Sequence, residues 1–224
     1  MFDEVIHVTP LRFPIGDEIQ QEDLPEDTDT AIYVIARQAG ESADRRLEKG
    51  DYYLADVEEA NIRTLAEHYE KVLLVINCGG ILDLSILDEV PGIGAVLHFA
   101  QGGEEGGNAF ADIVSGKATP SGKLTDTWAI DYYDYPCAEE FGILGDVLQQ
   151  NYREGIYVGY RWFDANKIEP RWPFGFGLSY ADFEITVQNT QIVGTMVTVT
   201  ACVRNISSCY SGKDVVQLYL AKPE

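Results

Sequence analysis

The stretch LADVEEANIRTLAEHYEKVLLVIN, Leu54 to Asn77, decides the fold class of this protein. Its first part predicts an amphipathic helix, because apolar residues recur near one helical face: Leu54, Val57, Ile62, Leu65, Ala66 and Tyr69. Its second part, KVLLVIN, is a short apolar run typical of a strand buried on both faces. Asp56 and Glu59 are predicted to form the capping box of the helix. A helix that leads directly into a buried strand indicates a β–α alternation.

The same alternation continues on both sides of this stretch. AIYVIA (Ala31–Ala36) and GAVLHFA (Gly94–Ala100) predict two further buried strands, and EEGGNAFADIVSG predicts a helix that ends at Gly116. Strands that are apolar throughout and alternate with helices predict a parallel sheet covered on both faces. Three strands are few for such a sheet, so we expect part of it to lie outside this sequence.

The pattern changes in the C-terminal third. From Phe183 onward, polar and apolar residues alternate in FEITVQN, MVTVTACVRNI and KDVVQLYLAKPE, which predicts three antiparallel strands. The predicted fold class is therefore α/β: a partial parallel-sheet α/β sandwich, followed by an incomplete antiparallel β-sandwich of fibronectin III type. The predicted divisions are a connecting segment, a partial α/β sandwich domain, aromatic and glycine-rich loops that pack the two domains, and the start of the fibronectin-like domain: 1–30, 31–135, 136–182 and 183–224.

Composition excludes several classes of function. The net charge of −21 argues against binding to nucleic acid or to an anionic membrane, because both need a basic surface. The sequence contains no apolar run near 18 residues and no signal-peptide pattern at its start, so we expect a cytoplasmic protein without a transmembrane helix. The cysteines lack zinc-ligand spacing and are expected to be reduced, although a Cys202–Cys209 bridge remains open.

Familiar catalytic and phosphate-binding motifs are missing. The glycine clusters at 77–80 and 102–107 do not fit a phosphate-binding loop, so we interpret them as tight turns at strand ends and disfavour a nucleotide-binding protein. None of the three histidines pairs with a plausible nucleophile, which disfavours a Ser-His-Asp or metal hydrolase. His98 is predicted to be a core residue whose polar atoms are satisfied.

Glu41 stands out by its position in ARQAGESADRRLEKGD, Ala36–Asp51. It follows the end of the first predicted strand, where open α/β sheets place their functional sites. Gly40 allows a sharp turn beside it, and the charged run from Asp44 to Arg46 is predicted to pin the loop. Surface glutamates are common, so these features alone also fit an exposed loop residue.

The order of motifs closely resembles glycoside hydrolase family 3, the β-glucosidase type. The matching pieces run from about Ala31 to the C-terminus: AGESADRRLEKGDYYL, KVLLVINCGGILDLSIL, AVLHFAQGGEEGGNAFADIVSGKATPSGKLTDTW, YREGIYVGYRWFD and EPRWPFGFGLSYADFE. The resemblance implies an α/β sandwich domain and a fibronectin-like domain, which in this family follow an N-terminal barrel.

The resemblance also implies the chemistry. GESADR matches a GEGxDR-like sequence that carries the general acid/base in many members, with Ser42 in place of the second glycine. Glu41 is therefore the implied general acid/base of a retaining β-glycosidase, and Glu48 is the second choice. The implied Asp nucleophile lies on the barrel, outside this chain. The implied substrate is a β-glucoside or a related oligosaccharide, with no metal or organic cofactor.

Other interpretations stay open beside this one. The alternative from a different class is a non-catalytic carbohydrate-binding or interaction module in which Glu41 is a surface residue, and the open edges of an incomplete sheet allow a homodimer or pairing with another chain. Glu154 and Arg161 are predicted to form a buried ion pair or a loop anchor. Tyr52, Trp162 and Trp172 are candidates for an outer sugar subsite, with core packing favoured for the two tryptophans.

Overall fold

A parallel three-stranded sheet organises the N-terminal part of the protein. The computed structural model describes residues 17–37, 45–143, 148–149 and 151–221. The sheet has the order β1 (Thr30–Ala36), β2 (Lys71–Asn77) and β3 (Ile93–His98), with Thr30 opposite Lys71 at its start. Its strands are the three that the apolar runs predicted. Burial on both faces is confirmed only for β2, because Ile32 and Val34 of β1 are 39% and 51% exposed.

The core lies around β2, which is the central strand. Helix α1 (Asp56–His68) connects β1 to β2 and contributes buried Ile62 and Leu65. Val72, Leu74 and Ile76 of β2 are fully buried in the same cluster. The predicted helix and the predicted buried strand are therefore confirmed, and burial of apolar surface between them supplies the main driving force for folding this half.

Two shorter helices complete this half of the molecule. α2 (Ile86–Glu89) precedes β3, and α3 (Gly106–Val114) follows it. Gly116 has a φ of +74° just after α3, so it ends the helix in the left-handed conformation that glycine adopts without strain. Gly103, with a φ of +67°, makes a turn before α3. The glycine cluster at 102–107 is thus a turn that opens a helix, as predicted.

The start of α1 differs from the prediction. Ala55 is the N-cap residue, and the Glu58 carboxylate accepts a hydrogen bond from the Ala55 backbone N–H at 2.8 Å. The predicted capping box of Asp56 and Glu59 is wrong by one residue. The reason is that Asp56 already belongs to the first turn of the helix, so its side chain is not at the cap.

Aromatic residues connect the sheet to the C-terminal part. They occupy the 3-10 turn Tyr132–Asp134 and the short helix α4 (Tyr160–Asn166), and a second 3-10 turn, Ala138–Glu140, lies between them. The rings of Trp128 and Trp172 meet edge to face with centroids 5.4 Å apart, and Trp172 packs against the core. Core packing of Trp172 is therefore confirmed, and the contact joins this region to the sheet.

A hairpin forms the antiparallel part. β4 (Phe183–Val193) pairs with β5 (Met196–Asn205), and Gly194 makes the turn with a φ of +60°. The parallel sheet and this hairpin confirm the predicted fold class. The third predicted antiparallel strand, which begins at Lys213, is wrong: none of the described residues 206–221 belongs to a strand. None of the described strands forms with this segment the ladder of hydrogen bonds that a strand needs.

The segment after the hairpin is anchored by side chains instead. The half-buried Lys123 ammonium lies 3.0 Å from the Asp214 carboxylate, and Gln217 donates a hydrogen bond to the Gly175 carbonyl. All four cysteines have free thiols, so the open alternative of a Cys202–Cys209 bridge is not realised. None of the helices in the described ranges is both long and apolar enough to cross a bilayer.

Tyr135 gives the fold a pH dependence. Its hydroxyl accepts a hydrogen bond from the Ala129 N–H and donates one to the Thr127 carbonyl. Burial raises the pKa of Tyr135 to about 12, although the Ala129 N–H acts in the opposite direction. In the unfolded chain a tyrosine ionises near pH 10. Between about pH 10 and 12 Tyr135 therefore loses its proton in the unfolded state but keeps it in the folded state, which lowers the free energy of the unfolded state relative to the folded one.

We therefore expect the contribution of Tyr135 to stability to be complete below pH 10 and to be lost as the pH rises toward about 12. Urea unfolding at several pH values between 8 and 11 would measure the decline. Tyr135→Phe should be less stable at pH 8, because two hydrogen bonds are lost, but its stability should fall less steeply above pH 10. Equal slopes for the two proteins would contradict this origin of the pH dependence.

Candidate active site

The candidate site is built at the carboxyl edge of the parallel sheet. Three connections leave this edge, after Ala36 of β1, Asn77 of β2 and His98 of β3. The connection after β3 contains Ala100, whose φ of +52° is rare for a residue with a side chain. Such local strain is found disproportionately at functional sites, and this is the edge at which open α/β sheets bind ligands.

Arg37 holds the start of the connection after β1. Its guanidinium forms a bidentate ion pair with Glu58 of α1, with both N–O distances 2.7 Å. The two side chains are 7% and 16% exposed, so the pair is largely removed from water. Paired hydrogen bonds between a planar guanidinium and a carboxylate also fix their relative orientation. Arg37 thus fixes the end of β1 to the start of α1.

Arg45 holds the same connection further along the chain, just after 38–44. One of its guanidinium nitrogens lies 2.8 Å from the Asp51 carboxylate, and another lies 2.7 Å from the Cys78 sulfur, just past the end of β2. The Arg46 backbone N–H donates to the other oxygen of Asp51 at 2.9 Å. Arg45 and Arg46 are therefore anchored to Asp51, whereas Asp44 and the rest of 38–44 lie outside the described residues.

Glu41, the predicted general acid/base, also lies outside the described residues, within 38–44. The structure fixes the two residues that flank this range, Arg37 and Arg45. Glu48, the second choice, is exposed and has the Arg46 guanidinium 4.0 Å from its carboxylate. The site residues that sequence reasoning missed are Arg37 and Glu58. Their only signal was an arginine at a strand end and a glutamate at a helix start.

The remaining predicted candidates have structural roles. Tyr52 is only 4% exposed, so its proposed place in an outer sugar subsite is wrong. Trp162 donates its indole N–H to the Asp134 carbonyl at 2.9 Å. Arg161 is exposed over the Tyr160 ring, so a buried ion pair with Glu154 is wrong as well.

The environment of His98 also corrects a prediction. Its ring packs edge to face against Trp128, with centroids 5.4 Å apart. Its Nε2 atom is buried and meets no hydrogen-bond partner among the residues that the structure describes. His98 is therefore packed within the protein as expected, but its polar atoms are not all satisfied.

No cluster of histidine, cysteine or carboxylate side chains within the described ranges has the arrangement needed to hold a metal ion. The chemical groups at this edge of the sheet are instead arginines, carboxylates and main-chain amides. Such groups can orient a loop and balance its charge. They suit a site in which a carboxyl group carries protons.

Comparison with known proteins identifies the family. Residues 17–180 match the family described as "Glycosyl hydrolase family 3 C-terminal domain". The chain belongs to glycoside hydrolase family 3. The family match covers the parallel sheet, the candidate site and the aromatic region, and it ends just before the β4–β5 hairpin.

Curated relatives of this family 3 chain are β-glucosidases. A "Beta-glucosidase" of Ruminococcus albus is 40% identical over 213 residues, which cover 95% of this chain and 22% of the relative. "Beta-glucosidase A" of Butyrivibrio fibrisolvens is 34% identical over 255 residues, which cover 92% of this chain and 30% of that protein. The chain therefore spans only between a fifth and a third of the length of these two relatives.

Solved structures share the fold. A β-glucosidase from Paenibacillus barengoltzii superposes with a TM-score of 0.79 and 36% identity, over 88% of this chain and 22% of that one. β-Glucosidase 3B from Thermotoga neapolitana, solved in complex with α-D-glucose, gives a TM-score of 0.73 and 36% identity, over 83% of this chain and 26% of that one. The family 3 chain thus contains a β-glucosidase-like domain of the C-terminal type.

Proposed function

We propose that this chain supplies the general acid/base, Glu41, of a retaining β-glucosidase whose Asp nucleophile lies on a barrel domain outside the chain. The observation that carries the proposal is the anchoring of Arg37 and Arg45 at the carboxyl edge of the sheet. Between these two anchors the sequence reads QAGESAD, the part that matches the acid/base motif of the family. Family membership supports the same reading.

The proposed reaction needs two carboxyl groups about 5–5.5 Å apart. The barrel Asp attacks the anomeric carbon and forms a glycosyl-enzyme ester, while Glu41 gives its proton to the departing glycosidic oxygen. Glu41, now a carboxylate, then takes a proton from a water molecule that attacks the same carbon and releases the sugar. The Asp is regenerated, and the sugar keeps its β configuration after two inversions.

The proposed substrate is a glucoside with a terminal β linkage. This choice rests on the relatives, which are named as β-glucosidases, and on the Thermotoga neapolitana enzyme, which was solved with glucose. The predicted division of the chain is kept as part of the proposal, with 31–135 in the α/β sandwich domain and 183–224 at the start of the fibronectin-like domain. The protein is proposed to work in the cytoplasm.

Reconstitution from two pieces tests the proposal. The 224-residue chain is assayed on aryl β-glucosides, alone and mixed with a family 3 barrel half that includes the upstream sheet strands. We expect no turnover by the chain alone and turnover in the mixture, because nucleophile and proton donor then lie in one site. The barrel half alone is the control.

Two results would point elsewhere. Robust turnover by the chain alone that depends on Glu41 would mean that a second carboxylate within these residues is the nucleophile. Oligosaccharide binding without turnover, even beside a complete barrel, would favour the non-catalytic carbohydrate-binding module. Isothermal titration with a β-linked glucose oligomer distinguishes binding from turnover in the same sample.

A further inference from the structure

The β4–β5 hairpin carries most of its aliphatic side chains on one face. Side chains alternate between the two faces of a strand pair, and directly paired residues share a face. The register pairs Ile185 with Val203 and Ile192 with Val197, and the bulge that follows Val187 leaves both halves of β4 on the same side. The apolar face, as defined here, contains six aliphatic residues: Ile185, Val187, Ile192, Val197, Val199 and Val203.

The apolar face is open to solvent. Five of its six aliphatic side chains are between 42% and 70% exposed, and Val199 is half-buried, although the segment 206–221 is in place. A two-stranded hairpin is only marginally stable in water unless its apolar side packs against something. A contiguous exposed apolar patch on a folded chain marks an interaction surface.

The charges of the hairpin lie on its other face. Glu184 and Arg204 are paired there, with a distance of 2.8 Å between guanidinium and carboxylate. Between Phe183 and Asn205, all of which the structure describes, the apolar face has no charged side chain. The chain as a whole carries a net charge of −21, so two copies repel each other over most of their surfaces. Two copies can therefore meet at this face without bringing like charges together.

The size of the apolar face fits a small dimer interface. β4 has 11 residues, so at a rise of about 3.3 Å per residue the hairpin is about 35 Å long. Two strands about 4.8 Å apart, with their side chains, make the face roughly 14 Å wide. Stacking of two such faces removes on the order of 1,000 Å² from water, which is the lower limit for a specific interface.

We propose that the apolar face of the hairpin is a homodimer interface, in which the hairpins of two copies stack face to face as the two layers of a β-sandwich. Sheets in such sandwiches lie about 10 Å apart, with strand directions within about 30° of each other. A twofold axis near the middle of the face places the Ile185–Val203 pair of one copy over the Ile192–Val197 pair of the other. The contact uses sheet faces rather than open sheet edges, and it does not depend on the role of Glu41.

Sedimentation velocity of the 224-residue chain tests the interface. Over about 1–100 µM we expect a monomer–dimer equilibrium with a micromolar dissociation constant, as suits an interface of this size. Val187→Asp places a carboxylate near the axis, and the symmetric dimer would bury two of them, so the dissociation constant should rise more than about 100-fold. Thr186→Asp is the matched control, because it adds the same carboxylate one residue away on the opposite face. It should change the dissociation constant by less than about threefold.

A variant that conserves shape keeps the test decisive where Val187→Asp disturbs the hairpin itself. Val187→Thr keeps the size of the side chain and suits a strand equally well, but the dimer must then bury two additional hydroxyl groups. We expect the dissociation constant to rise about tenfold. In the unmodified chain, amide hydrogen exchange of a peptide that covers 183–205 should slow as protein concentration rises, whereas a peptide from β2 (Lys71–Asn77) should not change.

Salt dependence separates this dimer from one held by ion pairs. Salt screens the repulsion between two acidic chains, so the dimer should tighten between about 50 and 300 mM NaCl, whereas a dimer held by ion pairs would weaken. Weakening with salt, or equal effects of Val187→Asp and Thr186→Asp, would overturn the proposal. A monomer at every concentration would also overturn it and would indicate a different occupant of the apolar face.

Discussion

Glu41→Ala lowers kcat/KM for phenyl β-glucoside by about 10²- to 10⁴-fold in the reconstituted enzyme, if the carboxyl group at this position gives a proton to the departing oxygen. The loss is much smaller for 2,4-dinitrophenyl β-glucoside, because dinitrophenolate departs without protonation. The measurement is a plot of log kcat/KM against the pKa of the leaving phenol, which steepens in the variant. The alkaline limb of the pH profile is also lost, since it reports deprotonation of the acid.

Azide tests the second part of the role proposed for Glu41, which is to activate the attacking water. In Glu41→Ala no carboxylate activates the attacking water, so the glycosyl-enzyme ester accumulates when the dinitrophenyl substrate is used. Azide attacks the anomeric carbon without losing a proton and releases the Asp carboxylate. We therefore expect azide to restore turnover in the variant, with β-glucosyl azide as the product, and to leave the unmodified enzyme almost unchanged.

Two further glutamates give this experiment its controls. Glu70→Ala makes the same chemical change at the opposite edge of the sheet, just before β2 begins at Lys71. We expect it to leave the rates unaltered. Glu48→Ala tests the second choice for the acid/base. Loss of rate and azide rescue in Glu48→Ala, with a normal Glu41→Ala, would move the role to Glu48. Normal rates in both variants would exclude both assignments.

Much of the fold could be predicted because its elements are local. The three parallel strands and α1 follow from apolar runs and from helical spacing, which depend only on neighbouring residues. The missed third antiparallel strand shows the limit of this reasoning, since alternation in 213–221 is a local property and a ladder partner is not. The burial of Tyr52 was missed for the same reason, since one of the rings packed against it, Tyr132, belongs to a turn far along the chain.

The connection after β1 was predictable from the sequence, but the contacts that anchor it were not. The apolar run of β1 indicated which connection would leave the carboxyl edge of the sheet, and the charged run after it indicated anchoring. The ion pair of Arg37 with Glu58 joins residues 21 positions apart, and a sequence rich in carboxylates offers many alternative partners for one arginine. Glu58 becomes the partner because α1 packs back onto the sheet and brings its first turn next to Arg37.

Leu74→Ala tests the packing on which this site rests. Leu74 is fully buried in the central strand β2, within the cluster that also contains Ile62 of α1. Removal of its three outer carbon atoms gives up apolar burial and leaves a cavity that close-packed neighbours fill only in part. We expect the free energy of unfolding to fall by about 2–5 kcal/mol, measured by urea unfolding of the 224-residue chain with tryptophan fluorescence.

Leu220→Ala is the matched control, because the chemical change is identical and the Leu220 side chain is 95% exposed. Its effect should stay within about 0.5 kcal/mol, as for most surface substitutions. Since 1.4 kcal/mol corresponds to tenfold in an equilibrium constant, the two variants should differ by at least about tenfold in their folded-to-unfolded ratios. Equal losses would contradict a core centred on β2, the strand against which β1 and α1, joined by the Arg37–Glu58 ion pair, pack.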